Sequence, residues 1–220
     1  MANRSRSLRR RGARLDSRPR ILIVCEGSAT EPGYFSDLRQ IAHVRAVEVV
    51  VDDASGVPKT LVERAVVRKK ASERDARRAG DINLRFDEVW CVFDVDAHPR
   101  LDEALQQAAA NGIRVALSNP CFELWVLLHF QDQRGFIDRH SAARACRRHL
   151  PRYEKHVTYR ELAEHYDLAV QRAEALVAWQ ETRGCVGDNP TTFVHRLTER
   201  LHSLGRDSVL AQIRRHSSSG

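Results

Sequence analysis

No apolar run in this chain of 220 residues approaches the roughly 20 residues needed to cross a bilayer. The longest candidate, CFELWVLLHF (121–130), is too short and is interrupted by Glu123. The first residues are positively charged with no apolar segment behind them, so a secretory signal is not expected. A membrane partner is not expected either, and the expected compartment is the cytoplasm. Paired cysteines are also lacking. Cys25, Cys91, Cys121, Cys146 and Cys185 are odd in number, scattered and never in a CxxC pair, which argues against a disulfide scaffold and for a reducing environment. No HxxxH or HExxH spacing suggests zinc. No GxxxxGK[ST] is present, so ATP hydrolysis through a P-loop is excluded. GxGxxG and a nucleophile elbow are missing as well.

What is present is charge, unevenly placed. Residues 1–20 hold eight arginines against the single acid Asp16, a surplus equal to the net charge of +7 for the whole chain. A second basic segment, 134–160, holds seven arginines and Lys155 against Asp138 and Glu154. An arginine-rich, serine-containing leader is expected to lack structure alone. Such arms bind phosphate backbones through counterion release; the plainer reading is a solubilising tail.

The order of elements is legible from short β-branched runs alternating with helical periodicity. RILIVCEG (20–27), VRAVEVVVDD (44–53), DEVWCVFDVD (87–96) and IRVALSN (113–119) read as strands. Between them, TEPGYFSDLRQIA, 55–78 and 99–112 read as helices, with Thr30 as a cap, Pro32 in a first turn and Gly112 at an end. This alternation predicts an α/β fold, a parallel sheet flanked by helices with a helical C-terminal extension. The expected organisation is a basic arm (1–19), an α/β core (20–119), a helical extension packed on it (120–206) and a tail (207–220). In the extension, Asn119 is expected to cap a helix with Pro120 at its first position, and further helices are expected near 139–150, 159–183 and 190–204.

Two strand-like runs end in acids. Glu26 follows the first; Asp94 and Asp96 end the third. Ligands of open parallel sheets bind beyond the carboxyl ends of the strands. Side chains at i and i+2 share one side of a strand, about 7 Å apart, so Asp94 and Asp96 face one point and Glu26 completes a cluster if the two strands are close. Three converging carboxylates repel one another, which a hard cation relieves. Mg²⁺ or Mn²⁺ there would polarise a phosphoryl oxygen and activate water. Taken singly, each acid is equally well read as a turn or cap residue.

A glutamate after the first strand and Asp-x-Asp after the third resembles the pattern of Toprim domains, the metal-dependent fold of topoisomerases, primases and OLD-type nucleases. ILIVCEGSATEPGYF, VFDVDAH, SNPCFELWVLLHF and NPTTFVHRL more closely resemble the RloB-like family over roughly residues 18–204. Those are small bacterial proteins, often encoded beside an ATPase or a restriction system and linked to phage defence. The resemblance implies Glu26, Asp94 and Asp96 as metal and catalytic acids, the glutamate in acid–base chemistry and the aspartates on Mg²⁺. The helical extension departs from a minimal Toprim domain, so substrates and partners of topoisomerases do not carry over.

Secondary candidates surround this core. Glu31 would orient Glu26 or join the metal shell, or else serve only the helix N-terminus. Glu123, in an apolar helix after the fourth strand, is a further catalytic candidate, and polar residues in such runs are paired or functional. Lys155 would stabilise a pentacoordinate phosphate, and His98 would donate to one; each is otherwise a solvated loop residue. Arg9, Arg10 and Arg11 in the arm, with Arg144, Arg147, Arg148 and Arg152, are the nucleic-acid-binding candidates. Trp90, Trp125 and Trp179 read as core. The expected function is a metal-dependent nuclease acting on DNA or RNA in anti-phage defence, with a separate ATPase as a candidate partner. The alternatives are a non-catalytic nucleic-acid-binding or effector subunit, and a phosphohydrolase of small phosphorylated molecules.

Overall fold

The computed structural model describes residues 19–27, 30–44, 47–51, 57–95, 100–154 and 156–217. Four strands run parallel: β1 (Ile21–Cys25), β2 (Val47–Val51), β3 (Glu88–Asp94) and β4 (Arg114–Asn119). A short β5 (Thr191–Thr192) adds antiparallel to β4, giving the order β2-β1-β3-β4-β5. The helices are α1 (Thr30–Ile41), α2 (Pro58–Ala79), α3 (Leu101–Ala110), α4 (Glu123–Leu128), α5 (Arg139–His149), α6 (Tyr159–Leu162), α7 (Tyr166–Glu181) and α8 (Val194–Ser217). The expected α/β class and the parallel order of the first four strands are what the chain adopts.

All five residues of β1 are buried, as in a strand covered on both faces. Their alternation sorts the core into two layers. Ile21, Ile23 and Cys25, with Trp90 and Val92 of β3, pack against Tyr34, Phe35 and Leu38 of α1 and against α4 to α8. Leu22 and Val24, with Val89, Cys91 and Phe93, pack against Leu61, Val62 and Ala65 of α2 and Ala104 and Ala108 of α3. The helix after β1 therefore lies on one face and the helix after β3 on the other. The carboxyl ends of these neighbouring strands form the switch point at which open α/β sheets bind ligands.

At the opposite end of the sheet, Glu88 is clamped by Arg200 (2.6 and 2.7 Å) and Arg114 (3.0 Å), which fixes α8 to β3. Arg160 of α6 pairs with Asp37 of α1.

Three local expectations change. Asn119 does not cap a helix: it ends β4, its side chain donates to the Gly187 carbonyl at 2.9 Å, and α4 begins at Glu123. The segment 190–193 is not helical, because its polar groups are used across the fold. Thr192 Oγ1 bonds Ser118 Oγ at 2.9 Å, and Thr191 Oγ1 donates to Gln180 Oε1. The last helix consequently starts at Val194, and it runs on to Ser217 where a tail was expected from 207. No proline or glycine interrupts the sequence between Gly205 and Gly220, so nothing local stops it. Trp90 and Trp125 are buried and Trp179 packs at the margin of the core.

α8 passes α1 at Gly205, where a Cβ would lie 2.1 Å from the Ala42 carbonyl oxygen. Replacing glycine by alanine in a helix ordinarily stabilises by about 1 kcal/mol, but a clash with backbone costs about 1–3 kcal/mol. Gly205→Ala should therefore lower the melting temperature; a rise would show that the two helices separate freely.

Candidate functional site

Glu26 follows the end of β1 at this switch point. Its N–H donates to the Val92 carbonyl of β3 at 3.0 Å, and its Oε2 accepts from the Asp94 N–H at 3.3 Å. Parallel pairing of β1 with β3 thus brings the first two acids together. Asp94 follows Trp90 and Val92 in alternation, so it faces the layer of α1 and α4 to α8. Glu31 enters from the first turn of α1 and is only 7% exposed. Its carboxylate lies over Gly27, where a Cβ would come within 2.3 Å of Oε2. The glycine after Glu26 is thus the residue that leaves room for the next acid. Glu123, the first residue of α4 and 8% exposed, accepts from the Tyr153 hydroxyl at 3.0 Å. Tyr153 also shares a hydrogen bond with the Thr30 side chain, and Cys146 donates to the Glu123 carbonyl at 3.4 Å.

A cation enters this group. Arg139, the first residue of α5, donates to Asp94 Oδ2 at 2.5 Å. Burial raises the pKa of Asp94 well above the carboxylate range; Glu31 adds to the rise, Arg139 opposes it, and Glu123 and Glu26 add further. Burial likewise raises Glu31, with Glu123 and Glu26 adding and its own backbone N–H opposing. Asp94 and Glu31 each feel the charges of the other three acids.

Of the sequence candidates, Glu26, Asp94 and Glu123 converge here, with Glu31 beside them. Asp96, His98, Lys155, Arg9, Arg10 and Arg11 lie outside the described residues. Arg144, Arg147 and Arg148 are exposed on α5, on the helix that delivers Arg139. Arg152 lines a cleft of about 260 Å³ with Tyr153, His156 and Glu161, and Tyr153 in turn bonds Glu123. None of these four arginines has an ion-pair partner among the described residues. Arg139 and Tyr153 were not singled out from the sequence. The available signal for Arg139 was its position: arginine at a helix N-terminus opposes the dipole, so something else must hold it there.

Among the described residues, no group of three or more His, Cys, Asp and Glu is arranged to hold a metal ion, and no helix is long and apolar enough to cross a membrane.

The sequence model of the family described as RloB-like protein matches residues 21–201. The chain belongs to the RloB-like family. No curated protein and no solved structure matches it. The span of the RloB-like match takes in every residue of the acid cluster, Arg139 and the β5 segment.

The buried Glu31 yields a signed prediction. A carboxyl group with a raised folded pKa holds a proton that the unfolded chain releases, so its ionised form costs stability above that pKa and the cost is relieved as pH falls. Glu31→Gln should therefore melt higher than wild type in EDTA near about pH 8, with the advantage shrinking towards about pH 5. A variant less stable than wild type at the higher pH would mean that the ionised Glu31 is compensated.

Proposed function

We propose that this RloB-like protein is a metal-dependent nuclease that hydrolyses phosphodiester bonds of DNA or RNA. The observation that carries the reading is the convergence of Glu26, Asp94, Glu31 and Glu123 at the switch point of the sheet, beside the arginine-bearing surface of α5. The donor set suits Mg²⁺ or Mn²⁺, which take oxygen ligands and keep several waters, so one or two carboxylates suffice. Asp94 and Asp96 would hold the ion, with Glu26 alongside. When bound, the ion would polarise a phosphoryl oxygen and lower the pKa of a water.

The chain's own residues supply the rest. Glu26, adjacent to Asp94, would accept or return the proton of the attacking water. Glu123, fixed by Tyr153, and Glu31, seated over Gly27, would maintain the negative potential that draws a cation in. Arg139 would exchange Asp94 for a phosphate oxygen of the substrate, a charge-assisted contact of the kind guanidinium makes well. Arg144, Arg147, Arg148 and Arg152, with the arginines of the N-terminal arm and Lys155, would carry the phosphate backbone. A role in bacterial defence against phage, with a separate ATPase as partner, belongs to the same proposal, as does the relation to Toprim domains.

A second reading is favoured by one specific observation. Arg139 already occupies an oxygen of Asp94, and the described acids do not by themselves form a metal cage. On that reading the chain is a non-catalytic nucleic-acid-binding or effector subunit.

Cleavage of tRNA, single-stranded DNA and plasmid with Mg²⁺, Mn²⁺ or EDTA separates the two. Wild type should cut at least one substrate in a metal-dependent way. Asp94→Ala should reduce the rate by roughly 100-fold or more while its circular dichroism and melting stay those of a folded protein. Undiminished cutting by the folded variant would refute the assignment, and metal-independent binding without cutting by wild type would favour the subunit reading.

A further inference from the structure

Phe136 is 78% exposed, the most exposed large apolar side chain among the described residues and the only aromatic in that set. Aromatics make up only 6% of this chain, and the other phenylalanines of the described residues are buried or half-buried. This ring is held out in water on a backbone fixed from both sides. The next residue, Ile137, is buried, and the Asn189 side chain grips it twice: Asn189 Oδ1 accepts from the Ile137 N–H at 3.0 Å, and Asn189 Nδ2 donates to the Ile137 carbonyl at 2.8 Å. On the other side, Gln133 Nε2 donates to the Gly135 carbonyl at 2.7 Å. Asp138 then caps α5 by accepting from the Ser141 N–H.

The position of the ring relative to the acids is bounded by the chain. Arg139 is bound to Asp94, and three residues of backbone span at most about 11 Å. Phe136 therefore stands within a few nucleotide lengths of the carboxylate cluster. Arg134 precedes it and is exposed. Val186, 48% exposed, belongs to the loop whose Gly187 and Asn189 are tied to Asn119 and Ile137.

An exposed ring on a backbone held at Ile137, with Arg134 and Arg139 close by in the chain, is a combination suited to unpaired nucleotides, with phosphates on the cations and a base stacked on the ring. A duplex offers no free base face to such a ring. We propose that Phe136 is a stacking platform for an unpaired base next to the reacting phosphate, so that the preferred substrate is single-stranded or locally unpaired nucleic acid. This rests on the nucleic-acid reading above and adds the substrate class to it. Asn189 acts as a positioning residue for both Phe136 and Arg139, because its clamp on Ile137 fixes the backbone between them.

The test uses the full chain in EDTA, so that binding is read without cleavage. Fluorescence anisotropy is recorded with labelled single-stranded DNA, single-stranded RNA and duplex of roughly 12 nucleotides over a salt series. Phe136→Ala should weaken single-strand binding about tenfold without changing duplex binding or the salt slope, because no phosphate contact is removed. Phe136→Trp should restore the affinity, and its added indole fluorescence should be quenched by the single strand. Wild-type affinity in Phe136→Ala overturns the platform and leaves the nuclease reading standing; the ring would then serve a protein interface. Equal loss on single strand and duplex also overturns it, since that is not stacking. Absence of single-strand binding by wild type also overturns the platform, and the nuclease reading is then judged by the cleavage experiment alone.

Discussion

Buried carboxylates must be protonated, paired or bound to a cation, and this constraint organises the molecule. Glu26, Glu31, Asp94 and Glu123 are delivered to one place by β1, α1, β3 and α4. The guanidinium of Arg139 meets them with a direct ion pair on Asp94. Burial raises Asp94 and Glu31 above the ordinary carboxylate range. A fold that concentrates acids in this way without using them would be less stable than one with apolar residues in the same positions. The convergence of these carboxylates is therefore the feature that any functional account must explain, and the proposed divalent cation would explain it.

The sheet order creates the place where this happens. β1 lies between β2 and β3, the chain leaves β1 towards α1 on one face, and it leaves β3 towards α3 on the other. The C-terminal helices then close the α1 side: α4 supplies Glu123, α5 supplies Arg139, and the segment before α6 supplies Tyr153. β5 extends the sheet from within the C-terminal part, and its loop ties Asn119 to Gly187 and Ile137 to Asn189. The α/β portion carries the acids, and the C-terminal portion carries the groups that orient and oppose them. The Glu88 clamp with Arg114 and Arg200 holds these portions together at the far end of the sheet.

The parts of the fold that local pattern determines were legible. The run 20–27 read as a strand and contains β1, and the helical pattern of 55–78 is α2. The acids at the ends of β1 and β3 were visible because those ends are set by the same runs. Features determined by distant partners were not visible. Asn119 looked like a helix cap, yet its side chain is taken by Gly187, 68 residues away. NPTTF looked like the start of a helix, but Thr191 and Thr192 bond Gln180 and Ser118 and form a strand. Arg139 reaches Asp94 across 45 residues, and its only local mark was a charge placed against a helix dipole. Tyr153 stood among basic residues that drew attention to phosphate instead of to Glu123.

The most direct test of the account is Mn²⁺ binding by the purified full chain, followed by electron paramagnetic resonance as the free-ion signal is lost on titration. Saturable binding by wild type, competed by Mg²⁺ and strongly weakened in a folded Asp94→Asn variant, is the predicted result. No bound Mn²⁺, or the same binding in the variant, would contradict the claim that these carboxylates gather to hold a cation.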